Sequence, residues 1–150
     1  MKILIVGGTG NISSFFVKLC LKKKINVEII IRNSKNNLRE SLYNKFLKKT
    51  YCDINKISKK KFFKIIKFKK YDCIINFACY NKKQAKNFLH LIKNITNRFL
   101  FISTTAGYIK NKNQLPYNEQ TKLKSKWVYA NNKKEAEKIF LNEKNKNFNV

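Results

Sequence analysis

Apolar and polar positions alternate along the chain in blocks. Residues 2–6 (KILIV) form a short, continuous apolar run, the pattern of a strand buried on both faces of a parallel sheet. A turn from Gly7 to Gly10 follows. Phe15, Phe16, Leu19 and Cys20 then recur at helical spacing, with Lys18 and Lys22 to Lys24 as the polar face and end. Residues 27–31 (VEIII) read as a second strand. Residues 34–48 read as a weak helix through Leu38, Leu42, Phe46 and Leu47, and a short third strand ends near Tyr51-Cys52-Asp53. Residues 56–70 carry Ile57, Phe62, Ile65, Ile66 and Phe68 on an amphipathic helix with a very basic face. Residues 72–77 (DCIINF) form strand four, and residues 81–95 a helix with Ala85, Phe88, Leu89 and Ile92 inward. Residues 98–103 (RFLFIS) form strand five. A polar loop runs to about residue 125, and a last helix from about 127 to 144.

Strand and helix alternate five times, which implies right-handed βαβ crossovers and a parallel sheet covered on both sides. The fold class is therefore α/β, a Rossmann-like doubly wound parallel sheet of about five strands flanked by helices. Neither repeats nor a linker interrupt it, so residues 1–150 are expected to be one domain.

Composition removes other classes. At 43 % hydrophobic and 13 % aromatic residues the chain is too rich in large apolar groups for a charged disordered chain. No apolar run approaches the roughly 20 residues of a membrane span. The opening apolar stretch is broken at Gly7 and has no cleavage site after it, so it does not read as a secretion signal. Cys20, Cys52, Cys73 and Cys79 lack metal-like spacing and His90 stands alone, so no metal is expected and the cysteines read as reduced, in a cytoplasmic protein. The net charge of +26 would draw polyanions. Lys is spread along the whole chain, however, and Lys, Asn and Ile share A/T-rich codons, so compositional drift is preferred to a dedicated nucleic-acid surface. Non-specific polyanion affinity is expected either way.

Gly7-Gly8-Thr9-Gly10-Asn11-Ile12-Ser13 follows a strand and opens a helix, the context of a dinucleotide fingerprint. Glycine permits the tight turn and close backbone approach, and the helix N-terminus offers N–H groups to a pyrophosphate. An acidic residue at the end of strand two would bind the ribose of NAD. Ile31, Arg32 and Asn33 stand there instead, and Arg32 could pair with a 2′-phosphate, which favours NADP. Asp53 and Ile54, at the end of strand three, are placed to touch the adenine; Asp53 could also cap the helix over 55–70. Asn76-Phe77-Ala78-Cys79 ends strand four where the cofactor cleft meets the sheet. In the second half, strand five ends in Ser103-Thr104-Thr105, and Tyr129 and Lys133 follow at i and i+4 on one helix face. An ammonium beside a phenol favours the phenolate, so such a pair can exchange a proton near neutral pH, and the Thr104 hydroxyl can bond the same substrate oxygen.

Taken in order, GGTGNIS at 7–13, CDI at 52–54, INFACY at 75–80, FISTTAGY at 101–108 and PYNE…WVYANNKKEAEK at 116–138 resemble the N-terminal half of an extended short-chain dehydrogenase/reductase, of the NAD-dependent epimerase/dehydratase group. The likeness extends to a branch of nucleotide-sugar epimerases with Ser at the third glycine position, a branch that includes chloroplast relatives binding stem-loop RNA. The resemblance implies a pyrophosphate loop of Gly7, Gly10 and Ser13, with Gly8, Thr9, Asn11 and Ile12 beside it, and adenine contacts from Asp53 and Ile54. It implies Tyr129 as catalytic base, Lys133 on the nicotinamide ribose, and Thr104 orienting the substrate. It implies NAD or NADP as cofactor, a nucleotide-sugar or similar small-molecule substrate, and a homodimer. Thr105 and Ala106 replace the Asp-Glu pair of the 4,6-dehydratases, so elimination of water by that route is not expected. Family members are about twice this length, so the C-terminal substrate region is expected to be missing. An RNA-binding module on the same fold, using helix 56–70, and a non-catalytic cofactor-binding remnant are the alternative readings. An apolar face around Ile139, Phe140 and Phe148 is expected to need a further strand or a partner.

Overall fold

A computed structural model describes residues 1–32, 47–108, 115–118, 120–121 and 125–150. Its elements run β1 (Lys2–Val6), α1 (Asn11–Lys22), β2 (Asn26–Ile31), β3 (Lys48–Tyr51), α2 (Lys59–Ile65), β4 (Cys73–Asn76), α3 (Lys82–Ile92), β5 (Phe99–Phe101), a 3-10 turn (Thr105–Gly107) and α4 (Val128–Asn142). The five strands pair in parallel in the order β3-β2-β1-β4-β5. Strand order reverses between β1 and β4, so the connections leaving these neighbours diverge and a crevice opens above their carboxyl ends. The expected helix over 34–48 falls on residues outside the described set, except that Leu47 is buried and Lys48 begins β3.

Both faces of the sheet are covered, as unbroken apolar strands require. On one side Val17 and Cys20 of α1 pack on Ile3, Ile5, Ile29 and Ile75. On the other, Phe62 of α2, Phe88 of α3 and Phe140 of α4 cover Leu4, Val6, Ile74 and Phe99.

Several expectations are corrected. The buried face of α1 is Ser13, Ser14, Val17 and Cys20, whereas Phe15 and Leu19 are exposed. Small residues lead the buried face at the start of α1, next to the glycine turn, while Phe16 packs half-buried against the same cluster, 6.3 Å from the Phe77 ring. Helix α2 is two turns, not the whole of 56–70, and Ser58 caps it by accepting from the Lys61 N–H. Asp53 does not cap it; its carboxylate accepts from the Asn55 N–H within the preceding turn. Only Phe62 of α2 is fully buried, while its lysines lie in water. The Phe140 and Phe148 rings are covered within the chain: Phe99 lies 4.6 Å from Phe140 and 6.3 Å from Phe148 between ring centres. Asn149 extends this edge through a parallel bridge to Arg98. Burial of each such ring contributes about 1.5–3 kcal/mol. All four cysteines are free thiols.

Candidate active site

A cleft of about 770 Å³ runs along the carboxyl ends of the strands, from the α1 turn to the first turns of α4. Its floor is the Gly7–Ser13 loop. Gly7 has φ +82°, and a Cβ on it would lie 2.8 Å from the Ala78 Cβ, so glycine alone lets this loop rest against the end of β4. Gly10 is the N-cap of α1 in extended conformation, which directs the first turn of the helix, where amides lack an intrahelical acceptor, at the cleft.

At one end, Arg32, Cys52, Asp53, Ile54 and Asn55 line the wall. Burial pushes the Cys52 thiol up, with Asp53 adding to the shift and Lys61 opposing it. At the other end, α4 brings in Tyr129 and Lys133. Lys133 is 2 % exposed, and its ammonium donates to the carbonyl oxygens of Cys79, at 3.0 Å, and Ile102. The Phe101 ring centre lies 4.3 Å from Lys133 Nζ and that of Tyr80 at 5.7 Å. Burial draws the Lys133 ammonium below the ordinary lysine range, with Cys79 and Glu137 acting the other way. The buried Cys79 thiol is pushed up to about 11, which removes it as a nucleophile at neutral pH. The Tyr80 ring lies 6.5 Å from that of Tyr129, and the Trp127 ring 5.2 Å from it. The Ser103 hydroxyl donates to Glu137 at 2.6 Å, so toward the cleft it offers acceptor lone pairs.

The NAD dependent epimerase/dehydratase family matches residues 3–150. The chain belongs to that family. Among solved structures it is similar to the UDP-Glc/GlcNAc 4-epimerase of Campylobacter jejuni, at 22 % identity and TM-score 0.77, covering 94 % of this chain and 48 % of that one. It is similar to a dTDP-glucose 4,6-dehydratase of Bacillus anthracis solved in complex with NAD, at 23 % identity and TM-score 0.74, covering 95 % of this chain and 50 % of that one. It is also similar to the UDP-glucose 4-epimerase of Thermotoga maritima solved with UDP-glucose, at 18 % identity and TM-score 0.75, covering 92 % and 49 %. At these identities the likeness is one of fold. The chain spans about half the length of the solved structures it matches. A comparison with curated protein sequences finds no match.

The residues present fit the dinucleotide that the family name implies. A side chain at Gly7 would fill the space the loop needs, and the helix end and long cleft suit an anion flanked by two rings. Of the sequence-derived candidates, Gly7, Thr9, Gly10, Asn11, Ile12, Ser13, Arg32, Asp53, Ile54, Phe77, Ala78, Tyr129 and Lys133 border the cleft. Gly8 does not; it packs on Ile29, where a Cβ would lie 3.0 Å from the side chain. Cys79 does not border the cleft either; its carbonyl accepts from Lys133. Thr104 lies one residue beyond the lining, and its hydroxyl accepts from the Ala106 N–H at 3.2 Å; Ser103 holds the place on the wall. Asn33 lies outside the described residues. Tyr80, Gln84, Ser103 and Asn55 were not singled out from the sequence. For Tyr80 and Ser103 a signal existed: each lies within a few residues of the carboxyl end of a strand, β4 and β5 respectively. Among the described residues no helix is long and apolar enough to cross a membrane, and no group of three potential metal ligands occurs.

Proposed function

We propose that this chain forms the cofactor-binding and proton-transfer half of an NAD(P)-dependent oxidoreductase or epimerase acting on a hydroxyl or carbonyl of a nucleotide-sugar or similar small molecule. The observation carrying this reading is the continuity of one cleft from the glycine loop to Tyr129 and Lys133. The loop and first turn of α1 hold the pyrophosphate; Asp53 and Ile54 flank the adenine; Lys133 addresses the nicotinamide ribose. When bound, the nicotinamide supplies the hydride acceptor or donor. Tyr129 takes the proton from the substrate hydroxyl in oxidation and returns it in reduction. The Lys133 ammonium, fixed by two carbonyls, keeps a positive charge beside the oxygen where negative charge develops. Thr104 or its neighbour Ser103 orients the substrate oxygen. The Thr105-Ala106 pair offers no acid–base group for elimination of water. The protein is proposed to act in the cytoplasm and as a dimer.

Two measurements test this. Calorimetric titration should give a saturable site for NAD(H) or NADP(H), and Arg32 on the cleft wall favours the phosphorylated form. Tighter binding of NADH would overturn the preference, and no binding of either would overturn the function. Tyr129→Phe should lower turnover of a sugar-nucleotide substrate by about 10²–10⁴-fold while cofactor affinity stays within about twofold of wild type. Full turnover in that variant would remove Tyr129 from the chemistry.

A further inference from the structure

Ser13 occupies the third small position of the glycine turn, and its side chain makes bonds that glycine cannot. Its hydroxyl donates to the Gly7 carbonyl at 2.6 Å and accepts from the Gly10 N–H at 2.9 Å. The Gly10 carbonyl is more distant, at 3.4 Å. Ser13 is 1 % exposed, so its own hydroxyl is turned away from bulk water and onto the loop. The three groups form a closed tie from the start of the loop at Gly7 to the N-cap of α1 at Gly10. The remaining backbone is anchored at both ends: the Gly7 N–H donates to the Ile30 carbonyl at 2.9 Å, and the Ser14 N–H donates to the Gly10 carbonyl at 3.0 Å. Gly10 itself is exposed, yet its amide is held inward by Ser13.

We infer that Ser13 is a positioning residue whose hydroxyl holds the 7–10 loop in its phosphate-receiving shape before any cofactor arrives. The inference rests on the cofactor site proposed above. Two effects follow from the geometry. The Gly7 carbonyl carries partial negative charge that a pyrophosphate would meet as repulsion, and the Ser13 proton neutralises it. The loop also has less freedom to lose when an anion binds. If a loop without the tie holds the receptive shape about a tenth of the time, apparent affinity falls about tenfold.

The test uses the full chain, with Ser13→Ala and Ser13→Gly. The alanine variant keeps the Cβ and strands both loop partners. The glycine variant leaves room for water and serves if the alanine variant folds poorly. In the cofactor-free protein, amide hydrogen exchange at Gly10 should be slow in wild type and faster by at least tenfold in the variants, with core amides of β1 unchanged. Titration with NAD⁺ and NADP⁺ should show a Kd raised about tenfold in both variants. Equal Gly10 exchange in wild type and variants would overturn the inference, as would unchanged cofactor affinity in both variants. If wild type binds neither cofactor, the proposed function fails, and exchange at Gly10 alone then decides whether Ser13 holds the loop.

Discussion

Among the described residues two charged side chains are buried, and they are treated in opposite ways. Glu28, in the middle of β2, is 0 % exposed. Its carboxylate accepts from the Tyr71 hydroxyl at 2.5 Å, the Lys67 N–H at 2.7 Å and the Thr50 hydroxyl at 3.2 Å, and lies 3.1 Å from the Lys48 ammonium. Lys48 in turn donates to the Ile65 carbonyl at the end of α2. Glu28 thus ties β2 to β3, to the segment after α2 and to the entry of β4. Lys133, on α4, has no carboxylate partner among the described ion pairs. Carbonyl dipoles and an aromatic face hold it at the edge of the cleft. A buried charge whose partners are all internal is architecture. One held by dipoles beside an open cavity keeps its field for whatever enters, and such groups mark functional sites.

The contrast is broken or sharpened most strongly at Glu28. Glu28→Ala leaves the Tyr71 hydroxyl and the Lys67 amide facing a void, and should cost about 3–5 kcal/mol of unfolding free energy. Denaturant titration checks it. The exposed side of the Lys48 pair contributes little of this, because water replaces it. A loss below about 1 kcal/mol would mean that the carboxylate is dispensable, and the contrast would fail.

Lys133→Met is the counterpart. It removes a desolvated charge, a gain, and strands two carbonyls, a loss, so these partly cancel in stability. Unfolding free energy should move by about 2 kcal/mol or less. Turnover should fall by about 10²-fold, about 2.7 kcal/mol in transition-state stabilisation. Both quantities come from one preparation, by denaturant titration and steady-state assay. Large destabilisation with a proportionate loss of activity would make Lys133 another Glu28.

The same contrast governs what the sequence made legible. The β1 run and the glycine turn were readable because their signals are local: four consecutive apolar residues, then residues that permit a tight turn. Tyr129 and Lys133 were readable because i and i+4 fix a shared face wherever the helix lies. Glu28 gave no signal, since its main partner Tyr71 is 43 positions away and only the fold brings them together. The inward face of α1 was misread for a related reason. Periodicity favours the largest apolar residues, whereas the buried face next to the glycine turn begins with small ones, Ser13 and Ser14. Thr104 and Ser103 are neighbours in one hydroxyl run, and only the exit direction of β5 decides which lines the cleft.

The finest test of the Glu28 tie is Tyr71→Phe, which deletes one donor and keeps the ring. Below about pH 10 it should cost about 1–2 kcal/mol, the worth of a hydrogen bond to a charged acceptor. The sign with pH follows from the phenol. Burial first, and then its bond to Glu28, raise the Tyr71 pKa above its ordinary value of 10.0. The folded chain therefore keeps the proton at a pH where the unfolded chain releases it. Above pH 10 the unfolded state binds fewer protons at this site, and stability falls as pH rises. The contribution of Tyr71 is fully present below about pH 10 and is lost progressively above it. Wild type and Tyr71→Phe should thus differ most at pH 8 and converge on moving to pH 10.5–11, measured as urea midpoints on both proteins. A gap that stays constant across that range would show that the phenol does not titrate differently in the folded and unfolded states, and would leave the Glu28 tie to Lys67, Thr50 and Lys48.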